Sequence, residues 1–123
     1  MGNAIKEKSF AFAVRIVNLY RFLCEEKKEY VLSKQLLRQR HEHWCERGEA
    51  LQAQSKRDFL SKINIALKEA SETMYWLKLL HATVYIDEKQ AESIVFDCKE
   101  IVALLTSIIK TTKKNLEVNK NEN

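Results

Sequence analysis

Proline is absent from this chain, and glycine occurs only at Gly2 and Gly48. Sheet-rich domains need turn residues at frequent intervals, and this sequence does not supply them. Long helices joined by short connections are what the composition leaves. A chain of 123 residues with 46% hydrophobic and 31% charged residues has enough apolar material for one core and enough charge to stay dissolved, so a single domain is expected.

Helical periodicity divides the chain into four stretches. The first is expected over about residues 4–27, where Phe12, Ile16, Leu19 and Leu23 recur at helical spacing. Phe10, Val14, Val17 and Cys24 add a second apolar stripe beside it, a face wider than one core contact requires. That width points to contact with a neighbouring subunit. Lys8, Arg15, Asn18 and Glu25 are expected on the opposite, polar side. After a charged link at residues 25–29, the second helix is expected over about residues 30–53, with Leu32, Leu36 and Leu37 inward. Ser55 to Asp58 has the form of a capping box that opens a third helix over about residues 56–84. Its inward face is Phe59, Ile63, Ala66, Leu67, Ala70, Met74 and Leu77, with Lys62, Glu69 and Glu72 toward water. Asp87 to Gln90 is a second capping box, and the fourth helix follows over about residues 88–116 on a stripe of Ile94, Cys98, Ile101, Leu105, Ile108 and Leu116. Residues 117–123 are polar and are expected to fray. Four amphipathic helices with short links predict an all-α, antiparallel up-down-up-down four-helix bundle.

Charge and cysteine usage narrow the function less. Lys and Arg number 21 against 17 Asp and Glu, a net charge of +4, which permits a nucleic-acid partner without requiring one. Cys24, Cys45 and Cys98 are odd in number and widely spaced, and Met1 to Lys8 has no apolar signal region. Both features point to reduced thiols and a cytoplasmic protein. No apolar run approaches the roughly 20 residues of a membrane span, so no membrane partner is expected.

The one stretch that looks like a chemical site is Gln39 to Gly48, which holds His41, His43, Trp44 and Cys45. His41 and Cys45 share a helix face, but two ligands are too few for a metal site. His43 points elsewhere and does not align with Cys45 as a nucleophile–base pair. Neither a phosphate loop nor a nucleophile elbow is present. No catalytic residue, metal site or cofactor is therefore expected. The residues singled out for contact with nucleic acid are Lys56, Arg57, Lys110, Lys113 and Lys114, chosen for charge and expected exposure. Dipole complementarity at a helix C-terminus explains the last three equally well at this level.

Five segments carry a resemblance. They are Phe10-Ala-Phe-Ala-Val-Arg-Ile-Val-Asn-Leu-Tyr20, Leu32-Ser-Lys-Gln-Leu-Leu-Arg38, Glu49-Ala-Leu-Gln-Ala-Gln-Ser-Lys-Arg-Asp-Phe59, Lys62-Ile-Asn-Ile-Ala-Leu-Lys-Glu-Ala70 and Thr73-Met-Tyr-Trp-Leu-Lys-Leu-Leu80. Together they resemble the bacterial family of 23S rRNA intervening-sequence proteins, related to the accessory variability proteins of diversity-generating retroelements. The resemblance implies a left-handed four-helix bundle that assembles as a homopentameric ring, with basic surface for RNA or DNA and no established enzymatic activity. The function expected is thus a non-enzymatic, self-assembling bundle that binds nucleic acid through basic surface. The other reading is a structural or protein-partner oligomerisation module without nucleic-acid binding.

Residues 39–48 depart from that resemblance, since the family reads close to Ser-Gly-Thr-Ser-Ile-Gly-Ala-Asn-Val-Glu there. One choice of synonymous codons for Gln39 to Gly48, read one base later, gives Ser-Gly-Thr-Ser-Ile-Gly-Ala-Asn-Val. Two compensating indels are the expectation, checkable by sequencing the gene. Bulky and charged groups in place of small ones would overpack the second helix, and rotation onto a Leu37–Trp44–Leu51 seam is expected to relieve it.

Overall fold

The computed structural model describes residues 2–38 and 55–122. They form an all-α four-helix bundle: α1 is Gly2–Glu25, α2 is described over residues 31–38, α3 is Lys56–Ala82 and α4 is Glu88–Glu122. Of the expected seam, Leu37 is half-buried at the end of the described part of α2, whereas Trp44 and Leu51, and the cluster of His41, His43 and Cys45, fall in the stretch 39–54, outside the described residues.

The inward faces follow the helical period. Ile5, Phe12, Ile16 and Leu23 of α1 are buried, as are Ile63, Ala66, Ala70, Leu77 and Leu80 of α3 and Ile94, Cys98, Ile101 and Leu105 of α4. Each fully buried Leu or Ile contributes roughly 1.5–3 kcal/mol of transfer free energy. α3 and α4 run antiparallel. The Cys98 thiol donates to the Ala70 carbonyl at 3.4 Å, and further along Lys78 and His81 share a groove with Glu88, Glu92 and Val95. α1 is also antiparallel to α4, because Lys8 meets Glu100 and Arg15 meets Ser93 and Asp97.

The links are built from caps. Lys28 takes the left-handed conformation at φ 55°, and the Glu29 N–H reaches the Leu23 carbonyl at 2.9 Å. The Glu29 carboxylate then accepts from the N–H groups of Val31, Leu32 and Ser33 at 2.9, 2.8 and 2.8 Å. One buried side chain thus satisfies three of the orphan donors at the start of α2. At the other link, Tyr85 N–H bonds Leu80 O and Val84 N–H bonds His81 O, at 2.9 and 3.0 Å. This is the Schellman pattern, with Val84 at φ 66° where glycine is usual. Asp87 and Gln90 form the reciprocal capping box, at 2.7 and 3.1 Å, and Ser55 accepts from Asp58 N–H at 3.0 Å.

Several side chains sit elsewhere than the periodicity suggests. Lys8 and Arg15 lie along the seam with α4, where each finds a carboxylate. Glu69 is buried instead of facing water. α4 continues to Glu122, past the frayed tail expected from residue 117; Glu117, Lys120 and Glu122 are the good helix formers of that stretch.

Candidate nucleic-acid interface

The antiparallel register of α3 and α4 places the start of α3 beside the last third of α4. Lys56 and Arg57 stand in the first turn of α3, and Lys110, Lys113 and Lys114 stand at the matching level of α4. All five are exposed. Residues 53 positions apart or more in sequence therefore share one end of the bundle.

Helix dipoles do not account for this placement. Lys56 and Arg57 occupy the positive end of α3, where cations are disfavoured, and Asp58 is the acid in that turn. Lys114 stands about two turns short of Glu122, beyond the range over which a helix terminus favours a cation. The dipole explanation weakens once α4 is seen to extend so far. Lysine ammonium groups are point charges that neutralise phosphate without reading bases, and Arg57 adds a planar donor fork.

Other polar chemistry is sparse among the described residues. No group of three or more His, Cys, Asp or Glu side chains comes together to hold a metal ion. Cys24 Sγ lies 3.6 Å from Ser33 Oγ. The Tyr20 hydroxyl is pushed above its ordinary pKa chiefly by its hydrogen bond with the Cys24 thiol. Cys98 is buried on the α3–α4 seam. No helix among the described residues is long and apolar enough to cross a membrane.

The fold and surface define a four-helix-bundle protein with a basic end. The chain belongs to the family of 23S rRNA-intervening sequence proteins, whose pattern matches residues 2–107. Lys56 and Arg57 fall inside that span, and Lys110, Lys113 and Lys114 fall beyond it. A crystal structure from Bacteroides thetaiotaomicron VPI-5482, described as a protein with unknown function from the S23 ribosomal protein family, is 58% identical in sequence. It superposes with a TM-score of 0.86, and the match covers 89% of this chain and 97% of that one. No curated protein matches the sequence.

Proposed function

We propose that this protein is a non-enzymatic, cytoplasmic scaffold that associates with copies of itself and holds nucleic acid by its phosphates. The observation that carries the reading is the gathering of Lys56, Arg57, Lys110, Lys113 and Lys114 at one end of the bundle, against the dipole of α3. Self-association is supported by α1, where Phe10, Val14 and Val17 are 59%, 46% and 37% exposed at helical spacing. A contiguous apolar stripe of that kind marks an interaction surface. A homopentameric ring is the assembly proposed, and it would repeat the basic end around its axis.

Fluorescence anisotropy with a 23S rRNA hairpin and with duplex DNA tests the nucleic-acid reading. Five phosphate contacts on duplex DNA give a slope of log K against log salt of about −4.5. The Lys110→Glu, Lys113→Glu double variant is expected to weaken binding to both probes while light scattering reports an unchanged mass. Absence of binding to either probe at low salt refutes the nucleic-acid reading. It leaves the oligomerisation module, which the α1 stripe favours, as the function.

A further inference from the structure

Near the link end of the bundle, α1, the link of residues 83–87 and the start of α4 border an open pocket of about 290 Å³. Its walls include Leu19, Phe22, Ile86 and Ile94, and Asn18 and Gln90 stand at its rim. Arg15 lines it as well. The guanidinium is held in place, with Nη1 donating to Ser93 O and Asp97 Oδ2 at 3.2 and 2.6 Å and Nη2 donating to Ser93 Oγ at 3.0 Å. Arginine has five N–H donors, so these bonds leave two for another acceptor. The Gln90 carbonyl oxygen accepts from Asp87 N–H, which leaves its NH₂ as the free end. A second cation stands close by: Lys27 Nζ lies 5.7 Å from the centroid of the Phe22 ring. The lining contains no carboxylate. The nearest acid in the hydrogen-bond network, Asp97, already serves Arg15.

Apolar walls, a guanidinium fixed before any ligand arrives and two side-chain amides specify one kind of guest. We propose that this cavity binds a small carboxylic acid with an apolar chain, the carboxylate on Arg15 and the chain against Leu19, Phe22, Ile86 and Ile94. A water molecule's share of liquid volume is about 30 Å³, so the pocket suits a body of about ten water-sized groups. Pre-organisation of Arg15 by Ser93 and Asp97 removes part of the ordering cost of binding. The competing explanation is a seam that simply packs badly, and it makes a different forecast for selectivity.

Isotope-labelled full-length protein titrated with octanoate, 1-octanol and acetate separates the two. Octanoate is expected to shift the resonances of Leu19, Ile86 and Ile94 saturably. Octanol should bind about tenfold more weakly, for want of the charge-assisted bond, and acetate should not bind. Arg15→Gln should bring octanoate down to the level of octanol and leave octanol unchanged. Asn18 is exposed, so Asn18→Phe should plug the mouth and abolish octanoate binding without unfolding α1. The proposal is overturned if octanol binds as well as octanoate, or if no saturable shift appears at these residues. It is equally overturned if Asn18→Phe binds normally, or if that variant changes the oligomeric mass, which would make the cavity a seam between subunits.

Discussion

α4 has two flanks, and they are held in different ways. Toward α3 the middle of the seam is lined by small buried residues, Ala66, Ala70 and Cys98, with Leu77, Ile101 and Leu105 filling between them. The backbones come close enough for the Cys98 thiol to reach the Ala70 carbonyl. Toward α1 the seam is bridged by long polar side chains, Arg15 to Ser93 and Asp97 and Lys8 to Glu100. Open pockets of about 290 and 130 Å³ lie along this flank, the first lined by Arg15 and the second by Lys8, Asp97 and Glu100. Small residues allow close helix approach, and bulky or charged ones hold the axes apart. The link of residues 83–87 also fixes α3 against α4 through caps at both ends. No such link ties α1 to α4, so that pairing depends on its side chains. A dense seam sets stability, and an open one leaves room for chemistry.

Truncation inside the dense seam should have the largest effect. Leu77 is 0% exposed, and Leu77→Ala is expected to cost about 2–5 kcal/mol in a denaturant titration. Leu19 is only partly buried and lines the α1–α4 cavity, so Leu19→Ala removes fewer contacts and should cost clearly less. Equal losses from the two variants would show that the seams are equally packed and would end the contrast.

Enlargement probes the same contrast from the other side. Ala70 is 4% exposed on the α3–α4 seam, and Ala70→Leu should cost about 1–3 kcal/mol by overpacking. Ala11 is exposed at the edge of the smaller α1–α4 cavity. Ala11→Leu has space to enter and should fall within about 0.5 kcal/mol of the parent. A thermal melt that ranks Ala11→Leu below Ala70→Leu would refute the assignment of free volume to α1.

The sequence carries the dense flank better than the open one, for physical reasons. Ile63, Ala66, Ala70 and Leu77 keep helical spacing because one stripe meets one partner, and the Asp87–Gln90 box has a local signature three residues long. Lys8 and Arg15 look like solvated residues by their type. Only the register of a helix 82 to 92 positions away supplies their partners, Glu100 and Asp97. Glu29 reads as part of a charged link, but Lys28 turns the chain and aims its carboxylate at three N–H groups of α2. The basic residues are legible as charges, whereas their assembly at one end is a property of the α3–α4 register. The pocket leaves no trace in the sequence, because its lining residues are ordinary core and surface types drawn from α1, the α3–α4 link and α4.

The smallest effect belongs to the most exposed part of the open seam. Lys8 Nζ lies 2.8 Å from Glu100 Oε2, and the hydrogen bond to Glu100, followed by its charge, raises the ammonium pKa above the ordinary 10.5. A group whose pKa is raised by folding stabilises the fold fully below its unfolded pKa, and that contribution is lost as pH climbs through the folded value. Lys8→Gln should therefore melt slightly below the parent at neutral pH, and the gap should close above about pH 10.5. Tyr20, also raised, titrates in the same range but is common to both proteins and cancels in the difference. The gap should shrink with added salt, because the pair faces water and is screened. A gap that stays constant from neutral pH to beyond the lysine range would mean that Glu100 does not engage Lys8. Among the described residues, the Arg15–Asp97 pair would then be the ionic bridge left between α1 and α4.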